Sequence, residues 1–161
     1  MGLISYFSLG LLGCLVAGPF LSGGVRAAEC PKNWLSFQGK CYGYFHREVS
    51  WQNAENECQR QGGHLASILD RKEHNAVARF LQQAQRWDDD EEDVWFGLSI
   101  PDRSKSWAWA DGSPMSYTAW EKYKSYPALK GEHCAVLDES SGFMLWDNDS
   151  CYDRNPFICK V

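Results

Sequence analysis

The chain has no Cys-x-x-Cys pair, no Gly-x-Ser-x-Gly elbow and no glycine-rich phosphate loop. Those absences remove the local signatures of zinc ribbons, thioredoxin-type redox sites, serine hydrolases and nucleotide binders. Its four histidines, His46, His64, His74 and His133, lack metal-ligand spacing, so the pattern reads as a binding protein and not an enzyme. Positive charge is the minority sign: 16 Lys and Arg stand against 21 Asp and Glu, a net charge of −5. An acidic chain is poorly matched to nucleic acid or an anionic membrane and better matched to cations or cationic surfaces. No internal repeat or linker divides the 161 residues, which is the length of one domain.

The apolar stretch Leu3–Leu21 is followed by Val25-Arg26-Ala27, small residues at the positions a signal peptidase reads. Residues 1–27 are therefore expected to be a signal peptide, leaving a domain over 28–161. The alternative is an uncleaved membrane anchor, since no Lys or Arg precedes Leu3 and the stretch approaches the ~20 residues a bilayer needs. An anchored head usually follows a stalk, whereas Cys30 comes almost at once. Cleavage removes Arg26 and no acid, taking the net charge from −5 to −6. It also removes Cys14. Six cysteines remain, an even number that suits a disulfide-stapled secreted domain with no thiol left for a partner chain.

Along the domain, Cys30–Cys41 reads as a short turn-rich loop and Cys41–Phe45 as a strand. Ser50 caps a helix carrying Trp51, Ala54 and Cys58 on one face, stopped by Gly62-Gly63. His64–Ile68 is an extended link. Asp70 with Glu73 predicts a capping box for a second helix, running to about Gln85, with Ala76, Val77, Phe80 and Leu81 as its apolar face. Short strands are expected at Val94–Leu98, Ser106–Ala110, Cys134–Leu137, Phe143–Trp146 and Phe157–Cys159. Asp111–Glu132 is a long Gly/Pro/Ser/Tyr-rich loop, of a length that is usually functional. Helices first and strands later make an α+β class.

Several pieces then accumulate in order: Trp95-Phe96-Gly97-Leu98, Trp107-x-Trp109-x-Asp111-Gly112, Tyr117 with Trp120, Glu132-x-Cys134, Trp146 before Cys151, and Phe157-Ile158-Cys159-Lys160. Together they resemble the C-type lectin-like domain family across Cys30–Lys160. The resemblance implies two helices packed on short antiparallel sheets with a long loop. It also implies three disulfides, Cys30–Cys41, Cys58–Cys159 and Cys134–Cys151, of which the first marks the long form. The acidic run before Val94, His133–Leu137, Ser140–Phe143 and Trp146–Cys151 are similar to eggshell matrix proteins of the ansocalcin and struthiocalcin type. Cys41–Phe45 and His64–Ile68 also resemble the regenerating-islet-derived, lithostathine-like branch, and venom lectin-like subunits are a looser likeness.

The resemblance also defines a sugar site to test. Sugar-binding members hold calcium with a Glu-Pro-Asn-type triplet, a glutamate before a core cysteine and an Asn-Asp pair. Glu132 matches the lone glutamate, and Asp147 and Asn148 occupy the pair in swapped order. The triplet is replaced by Tyr126-Pro127-Ala128, which loses two oxygen ligands of an ion that wants six to eight. A weak calcium site at most is expected, and no other cofactor. Asn148-Asp149-Ser150 is also a glycosylation sequon. The run Asp88, Asp89, Asp90, Glu91, Glu92 and Asp93 is the candidate contact for mineral or other cations, against its reading as a solvated charged loop. Tyr117, Tyr123 and Tyr126, interleaved with Lys122 and Lys124, are candidate ligand contacts. Trp107, Trp109 and Trp120 are expected to pin the long loop to the core. The expected partner is a glycan, a mineral surface or an extracellular protein, the last in a toxin-like binding role.

Overall fold

The computed structural model describes residues 29–88, 91–101, 104–122 and 133–161. Strands β1 (Leu35–Phe37) and β2 (Lys40–Val49) form a hairpin, followed by helix α1 (Trp51–Arg60), strand β3 (His64–Leu65) and helix α2 (Arg71–Asp88). Strands β4 (Val94–Ile100), β5 (Ala108–Trp109), β6 (His133–Leu137), β7 (Trp146–Asp149) and β8 (Asn155–Lys160) complete the chain, with a 3-10 turn at Glu139–Ser141. The strands form one sheet in the order β1-β2-β8-β4-β6-β7, with β3 added beside β8 and β5 beside β4. All pairings are antiparallel except β4 with β8, which run parallel at Trp95 and Phe157.

Local signals explain most boundaries. The Ser50 side chain accepts from the Asn53 amide at 3.4 Å, α1 buries Trp51, Ala54 and Cys58, and Gly62 follows it at φ 95°. Asp70 Oδ1 accepts from the Glu73 amide at 2.8 Å, and Glu73 Oε1 reaches back to the Leu69 amide at 2.8 Å.

Several boundaries differ from the sequence-based expectation, with β2, β4 and β8 each longer than expected. The Cys30–Cys41 segment contains β1, because Gln38 and Gly39 adopt positive φ (48° and 80°) and so form a tight hairpin turn. Helix α2 runs past Gln85 to Asp88, since no glycine or proline interrupts it. The strand expected over Ser106–Ala110 shrinks to Ala108–Trp109. The strand expected at Phe143–Trp146 instead starts at Trp146, because Gly142 and Phe143 are both left-handed (φ 69° and 67°) and turn the chain between β6 and β7.

Strand alternation divides the core between the two faces of the sheet. Phe96, Leu98, Ala135, Leu137 and Ile158 meet Val77, Ala78 and Leu81 of α2. Their strand neighbours Trp95, Cys134, Val136, Phe157 and Cys159 meet Trp51, Ala54 and Cys58 of α1. Gly97 lies where β4 crosses the link after β3, and its amide donates to Ala66 O at 2.8 Å. A Cβ at Gly97 would stand 2.5 Å from Leu65 O.

Three disulfides close the domain: Cys30–Cys41, Cys58–Cys159 and Cys134–Cys151. The second spans a sequence separation of 101 residues, a closure worth ~4.7 kcal/mol in the chain-entropy picture. A polar chain, buried at Glu73 and Ser67, links the same elements. Lys160 Nζ lies 2.6 Å from Glu73 Oε2, the Tyr42 hydroxyl donates to the same oxygen, and Lys160 donates to Ser67 Oγ at 3.0 Å. Ser67 in turn donates to Asp111 Oδ2 at 2.6 Å, where the long loop begins. Among the described residues, no helix is long and apolar enough to cross a membrane.

Two substitutions test this framework by chemical denaturation. Gly97→Ala is expected to lose about 2–3 kcal/mol through the clash with the Leu65 carbonyl. Lys160→Met is expected to lose about 3–5 kcal/mol, because it strands the Glu73 carboxylate inside the protein.

Candidate functional site

The long loop returns to the sheet at Trp146. That indole is fully buried, with the rings of His74, Phe96, Trp109, Tyr117 and Trp120 between 5.2 and 6.1 Å from it. Trp107 packs outside Trp120 with ring centres 4.7 Å apart and planes tilted by 45°. The backbone repeats the attachment: the Trp146 amide donates to Ala119 O at 2.8 Å, and the Glu121 amide donates to Trp146 O at 2.9 Å. Trp107, Trp109 and Trp120 thus anchor the loop, as their pattern suggested.

Tyr117 belongs to this cage too and is partly buried in it. Its hydroxyl lies 2.8 Å from His74 Nδ1, while His74 Nε2 lies 2.8 Å from the Phe143 carbonyl. A carbonyl only accepts, so Nε2 carries the proton and Nδ1 accepts from Tyr117. Burial pushes the His74 pKa down, which favours this neutral ring. Lys122 is exposed just beyond the cage, whereas Tyr123, Lys124, Tyr126 and Glu132 lie outside the described residues.

The acidic run is built into the fold at its far end. Asp88 is the last residue of α2, and Asp89 and Asp90 lie outside the described residues. The chain then folds back on the helix through Gln85, which is buried. Its side chain donates to Glu92 O at 2.7 Å and accepts from the Glu92 amide at 3.0 Å. Asp93 Oδ1 accepts from the Glu139 amide at 2.8 Å, fixing the 3-10 turn beside it. Asp138 caps that turn, accepting from the Ser140 amide at 3.1 Å.

These contacts gather carboxylates that are remote in sequence. Burial pushes the Asp93 pKa up, and the charges of Asp138 and Asp147 push it further. Burial likewise raises Glu139, with Glu91, Asp93 and Asp138 adding to it. Glu91, Glu139 and Arg86 line a depression of about 300 Å³, closed by Gln82, Gln85 and Phe143. Glu91 and Asp93, at the end of the acidic run, therefore share one end of the molecule with Asp147, which the sequence assigned to a separate calcium site. Asp147 and Asn148 lie on β7 opposite Val136 and Ala135, and Asp147 Oδ1 accepts from the Asn148 amide at 2.8 Å. Among the described residues, no group of three or more His, Cys, Asp or Glu side chains could hold a metal ion. The carboxylates form a spread patch and not a cage.

Sequence reasoning missed Asp138, Glu139 and Gln85. An Asp-Glu-Ser-Ser-Gly turn is locally legible, but its meeting with Asp93, 46 residues earlier, is not. It also missed the Asp149–Asp153 pair. Burial and a hydrogen bond with Asp153 push the Asp149 pKa up to about 6.

The Lectin C-type domain model matches residues 47–161. Dromaiocalcin-1 of Dromaius novaehollandiae is 52% identical over 139 residues, covering 85% of this chain and 94% of that protein. Human lithostathine superposes with a TM-score of 0.75 at 30% identity, covering 82% of this chain and 98% of that one. Ovocleidin-17, a major protein of the Gallus gallus eggshell calcified layer, superposes with a TM-score of 0.72 at 33% identity, again over 82% and 98%.

The neutral His74 predicts a pH dependence. A depressed folded-state pKa means stability that is fully present above the ordinary histidine value of about 6.5. That stability is lost as the pH falls from there toward the depressed folded value. Asp149 works in the opposite sense, since its raised pKa makes protonation favour the fold. The informative quantity is therefore the stability difference between wild type and His74→Gln, measured by urea unfolding. It should narrow between pH 7.5 and pH 5, at values set about the histidine pKa.

Proposed function

This chain belongs to the C-type lectin domain family, and from that premise we propose that it is a secreted, non-enzymatic matrix protein. Its acidic end engages a calcium mineral or a comparable cationic surface. The observation that carries this reading is the gathering of Glu91, Asp93, Asp138, Glu139 and Asp147 at one end of the domain. Mutual repulsion makes bound cations favourable there, and a spread patch matches a lattice of cations better than a single ion. The eggshell setting of ovocleidin-17 and the 52% identity to dromaiocalcin-1 support the same reading.

Secretion follows from residues 1–27 acting as a cleaved signal peptide, and is supported by three disulfides, which persist in oxidising compartments. All six cysteines of 28–161 are paired within the chain, so partners are held without covalent bonds. Calcium-dependent sugar binding is the competing reading, and its support is limited to Glu132, Asp147 and Asn148. A glycan on Asn148 would lie beside the same patch.

Calcite growth in the presence of the purified, disulfide-bonded protein tests the proposal. Wild type is expected to alter crystal habit, and Glu91→Gln/Glu139→Gln is expected to need roughly threefold or more protein for the same effect. Both side chains avoid the hydrogen bonds of Asp93 and Asp138, so the variant should keep its fold by near-ultraviolet circular dichroism. An unchanged habit with wild type would sink the mineral reading. Glycan binding that is lost in Glu132→Gln/Asp147→Asn would replace it with the lectin reading.

A further inference from the structure

Helix α2 carries two stripes. One, with Val77, Ala78 and Leu81, fills the core. The other, Phe80, Gln83, Ala84 and Trp87, follows the i, i+3, i+4, i+7 spacing of a single helix face. Phe80 packs on the core edge, and the face it opens walls a groove of about 740 Å³ whose opposite side is Trp34, Leu35 and Tyr44 of the N-terminal hairpin. Its last residue, Trp87, is 87% exposed, the most exposed large hydrophobic side chain among the described residues. A tryptophan so placed gives up its hydrophobic stabilisation in the isolated chain and has most to gain from a partner.

The groove adjoins the acidic run. Trp87 is followed directly by Asp88, and the Gln85 amide that clamps Glu92 O also donates to the Tyr44 hydroxyl at 3.3 Å. The groove wall and the acidic segment are thus held by one side chain. A fitting occupant is apolar or aromatic and carries positive charge. Such a segment exists in this chain: Lys122-Tyr123-Lys124-Ser125-Tyr126-Pro127-Ala128-Leu129-Lys130 contains three lysines, two tyrosines and no acid.

We infer that the groove between Trp34 and Trp87 docks a second copy of this chain through that copy's lysine- and tyrosine-rich segment 122–130. Groove and segment are different surfaces, so the contact is heterologous. Each bound copy leaves one groove and one segment unused, and assembly continues as an open chain instead of closing as a dimer. The inference stands apart from the mineral reading. Aromatic anchors carry the affinity, and the lysines complement the acidic run that follows Trp87 in the sequence.

Sedimentation velocity over a roughly hundredfold concentration range tests it, since self-association makes the mean mass depend on concentration. Wild type should grow in mean mass with concentration. Trp87→Ala, an exposed position where folding is not at stake, should weaken association about tenfold or more, as should Lys124→Glu/Lys130→Glu. The decisive sample mixes the two variants. One lacks a good groove and the other a good segment, so together they should form a one-to-one dimer that grows no further. A wild type that stays monomeric at every concentration would overturn the inference. So would association that both variants leave intact, or a mixture that fails to recover the dimer. A monomer in which Trp87→Ala raises the proteolysis of segment 122–130 would assign the groove to the chain's own loop and equally overturn it.

Discussion

Glu73 and Lys160 meet at 2.6 Å with both side chains nearly buried, and five parts of the chain converge on them. Tyr42 arrives from β2, the Leu69 amide from the link, and Ser67 passes the contact on to Asp111. Glu73 also forms the first turn of α2, so the residue that starts the helix also fixes its position against β8. Burying two charges is costly unless each is fully hydrogen-bonded. This network comes close to that condition. Burial raises Asp111, yet its hydrogen bonds from Ser67 and Ser113 outweigh this and hold its carboxyl below the usual range. The start of the long loop is thereby tied to the last strand of the sheet.

The end of the same loop is tied by Trp146. One anchor is polar and the other aromatic. The aromatic cage engages Tyr117, whose hydroxyl donates to a neutral His74. The carboxylates around the 3-10 turn and the exposed Trp87 end of α2 lie away from this cage.

Much of the scaffold was legible in the chain because its signals are local. Ser50, Asp70 with Glu73, and Gly62 act on backbone groups within one helical turn, so the helix starts and the first helix stop could be read directly. The spacing of Trp95, Trp109 and Trp146 indicated the fold family. Errors arose where a local pattern competed with a distant contact. Phe143-Met144-Leu145-Trp146 has strand composition, but a left-handed pair at Gly142 and Phe143 turns it so that Phe143 can bond His74, 69 residues away. Phe80 packs against the core as its periodicity suggests, but the hairpin residues Leu35 and Tyr44 that pack there with it lie 36 or more residues earlier in the chain.

The site divides in the same way. The sequence alone determined the acidic balance, the six cysteines, the caps and, beside the family it resembles, the loss of both ligand residues of the calcium triplet, all of which depend on residue identity or short spacing. Only the tertiary structure decided which carboxylates become neighbours. Asp93 and Glu139 are 46 residues apart and meet because Gln85 folds the acidic run back onto α2. Charge repulsion falls off with distance, so its effect on Asp93 and Glu139 exists only once packing has brought Asp138 and Asp147 alongside.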